Sequence, residues 1–110
     1  MINNFKCYCI SSNDPARYSV KVTNFTDLCV RFILKYTIYE GTALKEIDLL
    51  KNQNRKFYYE NAATNVSVNI LDCSSTTTKL IYHECIVEKT NLCFEISGTP
   101  QRIICARTIC

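Results

Sequence analysis

The chain has 110 residues, 47% of them apolar and 21% charged. That is one small globular domain with enough core-forming side chains to exclude disorder. Its net charge of +3 comes from 13 basic and 10 acidic residues, scattered as at Lys21, Arg31, Lys35, Lys45 and Arg55, whereas a surface that follows a phosphate backbone clusters its charge, which argues against nucleic acid as a partner. No stretch approaches the roughly 18 apolar residues of a membrane-spanning helix.

In chain order, "FKCYCI" is a plausible first strand. "YSVKV" follows, with Tyr18, Val20 and Val22 on one face and Ser19 and Lys21 on the other. "NFTD" reads as a turn that leads into a long partner strand. "LCVRFILKYTIY" then places Leu28, Val30, Phe32, Leu34, Tyr36 and Ile38 on one face, and six alternate apolar positions are a strong strand pattern. The segment from Thr42 to Gln53 is ambiguous. Leu44, Ile47 and Leu50 have helical spacing and Thr42 is a candidate cap, yet a strand ending in a polar turn at "KNQN" fits equally. "RKFYYE" is a short aromatic strand. "NVSVNIL" turns Val66, Val68 and Ile70 inward and Asn65, Ser67 and Asn69 outward. "KLIYHECIV", apolar on both faces, reads as a central strand, and "NLCFEIS" and "RIICARTI" complete the series. About seven to nine short strands with at most one short helix predict an all-β, disulfide-stapled antiparallel β-sandwich, immunoglobulin-like or of related topology, as one domain over residues 1–110. The chain has no Trp, so the Trp-on-disulfide core of true immunoglobulin domains is absent.

The cysteines set the compartment. Cys7, Cys9, Cys29, Cys73, Cys85, Cys93, Cys105 and Cys110 are an even set of eight in a short chain, which points to a disulfide framework and a secreted, extracellular protein. Eight cysteines allow 105 connectivities, and none is assigned from sequence. Cys29 and Cys93 lie opposite the apolar stripes of their strands, so each is expected to tie a strand to a covering loop or terminus. Two N-x-S/T sequons, at Asn24 and Asn65, are candidate glycosylation sites. No leader precedes "INNFKC", which suggests a mature segment with an added initiator Met1. Cys7 and Cys9, with His83 and Cys85, are also paired on strand faces as zinc ligands would be, but that reading leaves four cysteines unexplained. No metal or other cofactor is expected.

"FKCYC" also resembles the opening of three-finger receptor ectodomains, such as those of activin and bone-morphogenetic-protein receptors. The resemblance covers five residues and implies an extracellular ligand-binding module, not an enzyme. The remainder departs from that pattern: 43 cysteine-free residues separate Cys29 from Cys73, and the end reads "CARTIC".

Catalytic readings are narrow. His83 is the only histidine, and Glu84 beside it projects to the other face of a strand. A ribonuclease-like hydrolase would need His83, a carboxylate at Glu88 or Glu95, and Arg102 or Arg107 at the phosphate. The stronger expectation is a non-catalytic binding module that recognises an extracellular protein or glycan. Arg55, Phe57, Tyr58 and Tyr59 are the candidate contact residues, because aromatics beside arginine are favoured at interfaces. A membrane-acting β-sandwich toxin, with tyrosines at the lipid surface, is a further alternative.

Overall fold

A computed structural model describes residues 17–110. "FKCYCI", Cys7 and Cys9 lie outside the described residues. Eight strands follow one another: β1 (Arg17–Asn24), β2 (Val30–Ile38), β3 (Gly41–Leu49), β4 (Gln53–Glu60), β5 (Thr64–Asp72), β6 (Lys79–Cys85), β7 (Leu92–Thr99) and β8 (Arg102–Thr108). They form two four-stranded sheets, in the orders β4-β1-β7-β8 and β3-β2-β5-β6. The sandwich is as expected, and no helix occurs among the described residues.

The Thr42–Gln53 segment resolves as a strand and a turn. β3 pairs along its whole length with β2, from Ile38↔Gly41 to Val30↔Leu49. Ala43, Ile47 and Leu49 pack on the core while Leu44 and Leu50 are exposed, so its period is two and the helical spacing was accidental. The β2–β3 link is a two-residue turn with both Tyr39 (φ 50°) and Glu40 (φ 66°) left-handed, the geometry that matches strand twist in a tight hairpin.

Three expectations are corrected. β2 does not partner β1: β1 pairs with β4 and β7, and "NFTD" is an arch between the sheets. β1 and β7 run parallel, so the sandwich is not wholly antiparallel. "KLIYHECIV" supplies β6, an edge strand beside β5, with Tyr82 and Glu84 turned to the seam and His83 and Cys85 exposed.

The register orients everything else. Odd-numbered strands run one way and even-numbered strands the other, so the connections β1–β2, β3–β4, β5–β6 and β7–β8 gather at one end, away from Arg17. We call this the distal end. Between the sheets lie Val20, Val22, Phe94 and Ile96 from one side and Phe32, Leu34, Val68 and Ile70 from the other, all essentially without solvent contact. Each side chain of this size buried in full stabilises by about 1.5–3 kcal/mol. Ring pairs add to this, notably Phe32–Phe57 at 4.9 Å and Tyr82–Phe94 at 5.4 Å between centroids. At the β7–β8 hairpin Gly98 has φ +97°, and a Cβ there would stand 2.1 Å from the Arg102 carbonyl oxygen, so the hairpin requires glycine.

Polar links close both open seams of the sandwich. On one side Tyr36 Oη donates to Glu60 Oε1 at 2.9 Å, and Lys45 Nζ donates to the Tyr58 carbonyl. Burial, then the Glu60 bond, pushes the Tyr36 phenol up to about 12. On the other side Glu84 of β6 accepts from Tyr82 Oη at 2.6 Å and from Arg107 of β8.

Candidate functional site

The distal end is built around Asn24. The alternation of Tyr18, Val20 and Val22 continues to this residue, which is fully buried and ends the inner stripe of β1. Its Nδ2 donates to the carbonyls of Leu28 (2.8 Å) and Leu49 (3.0 Å). Its Oδ1 accepts from Thr26 N (2.8 Å) and Thr26 Oγ1 (2.6 Å). Its backbone carbonyl accepts from Asn52 N at 2.6 Å, while Phe25 N donates to the Ile96 carbonyl. One side chain therefore fastens the 25–29 arch to the 50–52 turn. The sequon at Asn24 is corrected accordingly: a glycan on Nδ2 is incompatible with this folded site, because the nitrogen is enclosed and both its protons are used. Asn65, by contrast, is exposed on β5 with φ 52°.

What the fastened loops present is apolar. Phe25 is 47% exposed and Leu50 58% exposed. Lys51 Nζ, on the 50–52 turn, lies 3.0 Å from Asp27 Oδ1 on the arch. The neighbouring 73–78 loop is "CSSTTT", all exposed beyond Cys73 and pinned by Ser74 Oγ, which accepts from Cys29 N at 2.8 Å. Apolar tips with an ion pair and a hydroxyl-rich loop at the same end suit a surface that is apolar within and polar at its boundary. Phe25 was missed in the sequence because it sits in a turn outside any stripe, and Leu50 because its helical spacing with Leu44 and Ile47 assigned it to an apolar face.

At the same end Cys29 Sγ and Cys73 Sγ lie 3.0 Å apart. Arg31 donates to Asp48 through Nε (2.7 Å) and Nη2 (3.1 Å), and the Asp48 carboxyl is held below its ordinary range by that bond. Burial first, then the Cys29 contact, pushes the Cys73 thiol up to about 12.

The aromatic cluster expected to form an interface is divided by strand alternation. Tyr59 is fully buried between Tyr18 (5.7 Å) and Tyr36 (6.2 Å), and its hydroxyl reaches the Thr90 carbonyl at 3.4 Å. Phe57 packs on Phe32, with Arg55 beside its ring at 5.8 Å. Tyr59 and Phe57 are thus withdrawn as contact residues, since their rings face the opposite sheet. Only Tyr58 projects outward, with the Arg17 guanidinium 4.1 Å from its ring centre.

A bond joins Cys93 to Cys110, tying β7 to the segment just past β8, as the position of Cys93 off its apolar stripe suggested. Cys85 is exposed. Cys105 is half-buried on β8, and burial pushes its thiol up to about 11. His83 is on the outer face, its Nδ1 at 2.7 Å from Asn69 Oδ1 and its Nε2 at 3.6 Å from Cys85 Sγ. An open groove of about 490 Å³ runs beside it, lined by Lys35, Asn65, Ser67 and Cys85 among others. Arg107 is engaged by Glu84 on the inner side of the seam, so His83 and Arg107, two members of the ribonuclease-like set, do not converge on one substrate position.

No family model matches the chain, and no curated protein does. Solved structures match its fold. Suilysin, a cytotoxin from Streptococcus suis, superposes with a TM-score of 0.66 at 11% identity over 86% of this chain. The chain spans 23% of suilysin's length. The membrane-binding domain of pneumolysin superposes with a TM-score of 0.65 at 11% identity, over 84% of this chain and 96% of that domain. Pneumolysin, described as a sugar-binding protein, gives 0.63 at 11% over 84% of this chain and 23% of its own. At these identities the likeness is one of fold: this two-sheet sandwich has the architecture of one domain of those toxins.

Proposed function

We propose that the domain is a secreted, non-catalytic module that docks on a membrane surface through its distal end. The observation that carries this reading is the pair of exposed apolar side chains, Phe25 and Leu50, on two loops fastened together by the buried Asn24. Membrane docking by a rigid sandwich needs apolar side chains held out on a fixed base, because a tip that must first be ordered spends binding energy on the ordering. Lys51 and the hydroxyl-rich 73–78 loop then lie at headgroup level. The fold shared with the membrane-binding domain of pneumolysin supports the same reading. Secretion is supported by the Cys93–Cys110 bond. Co-sedimentation with vesicles of phosphatidylcholine, phosphatidylserine and cholesterol tests it: the protein should pellet with vesicles and stay in solution without them.

The expectation of protein or glycan recognition has one observation in its favour. Tyr58 stands outward with Arg17 against its ring, a flat polar-edged platform of the kind on which sugar rings stack. Loss of glycan-array binding in Tyr58→Ala, with vesicle binding intact, would separate this face from the distal end.

A further inference from the structure

We propose that Cys29 and Cys73 are disulfide partners that close the distal end of the β2–β5 ladder, and that the cluster they form with Asp48 is a covalent cross-link site and not a metal site. Val30 is opposite Asp72 in the ladder, so Cys29 and Cys73 occupy the next opposed positions, and Cys73 N donates to the Cys29 carbonyl at 2.9 Å. Their sulfurs are already in contact at 3.0 Å, so the bond forms by a small adjustment of two side chains and no movement of strands.

Two thiols and a carboxylate with ligand atoms within 4.8 Å of one another would also begin a soft-metal site. Two features weigh against a cation here. Both Asp48 oxygens are occupied by the Arg31 guanidinium. That guanidinium places a fixed positive charge beside the position a cation would take. Neither opposes a neutral S–S bond. Nor is Cys85 a competing partner in place, since it pairs with Ser67 toward the other end of the sheet.

In the oxidation each thiol gives up one proton and one electron, and the two sulfurs bond. The two electrons and two protons pass to a disulfide oxidant such as oxidised glutathione, whose S–S bond breaks to give two thiols. The cross-link encloses the 43 residues between the two cysteines, including β3, β4 and the distal 50–52 turn. Long enclosed loops are those whose closure restricts the unfolded chain most.

The test is peptide mapping by mass spectrometry of full-length protein folded in an oxidised/reduced glutathione buffer, with free thiols blocked by iodoacetamide before digestion. The expected result is one linked peptide pair containing Cys29 and Cys73, absent after reduction, and a midpoint of unfolding lower by roughly 10 °C or more in Cys29→Ser/Cys73→Ser. Both residues recovered as alkylated thiols, either one linked to a different cysteine, or stoichiometric zinc retained by the native protein and lost in the double variant would overturn it. The wild-type map decides the matter even if the double variant does not fold, and it stands or falls independently of membrane docking.

Discussion

Glu84 on β6 and Arg107 on β8 are edge-strand residues of different sheets, and their side chains meet across the open seam of the sandwich, with Tyr82 as a second donor to the same carboxylate. Burial alone would raise the Glu84 pKa. The hydrogen bonds from Arg107 and Tyr82 and the Arg107 charge outweigh it, and the carboxyl is held below its ordinary value.

A depressed carboxyl pKa contributes stability that is present above the unfolded-state value and is lost as pH falls through the folded-state value. Glu84→Gln should therefore lower stability at neutral pH, by about 1 kcal/mol after allowance for solvent screening. The gap between wild type and variant should close on acidification below about pH 4, where unfolded glutamate itself protonates. Thermal midpoints of both proteins measured from pH 7 to pH 3 check this; a gap that is constant with pH would show that the ion pair is not its source.

Asn24→Ala removes the donor to two buried carbonyls, those of Leu28 and Leu49, without offering them water. Leaving such groups unpaired should cost about 2–4 kcal/mol, read as a lower midpoint in urea. The burial of Asn24 also predicts its modification state. Protein secreted from a glycosylating host should carry sugar at Asn65 and none at Asn24, which deglycosylation and peptide mass would show.

Tyr58 and Tyr59 should respond oppositely to truncation. Tyr59→Ala opens a hole in the core between Tyr18 and Tyr36 and should cost about 3–5 kcal/mol. Tyr58→Ala removes an exposed ring and the Arg17 contact and should cost under about 1 kcal/mol. Equal effects in chemical denaturation would contradict the assigned β4 register.

These contrasts also mark where the sequence was readable. Strands with one apolar and one polar face, such as β1, β2 and β5, show their inner stripe directly: Val20 and Val22, Phe32 and Leu34, and Val66, Val68 and Ile70 are all buried as expected. β4 was not readable in this way. "RKFYYE" has aromatics at adjacent positions, so either parity was acceptable, and its pairing with β1, Val20↔Phe57 and Tyr18↔Tyr59, decides which rings turn inward. Asn24 carried a usable signal that the sequon obscured, since it lies two residues beyond Val22 on the same stripe. The division of β1 and β2 between two sheets depends on contacts distant in sequence, and no local pattern reports it. The distal site depends on the same long-range arrangement. Phe25 and Leu50 are 25 residues apart in the chain and share one end only because β1 and β3 terminate there together.

The most direct test uses the absence of tryptophan from the chain. Phe25→Trp places a single indole at the distal end, and Tyr39→Trp places one on the β2–β3 turn at the opposite end, where Tyr39 is 86% exposed. Emission would be recorded on titration with phosphatidylcholine–phosphatidylserine–cholesterol vesicles. Docking by the distal end predicts a blue shift and protection from aqueous quencher for Phe25→Trp, with neither for Tyr39→Trp. A shift confined to Tyr39→Trp, or no shift at either position, would contradict it.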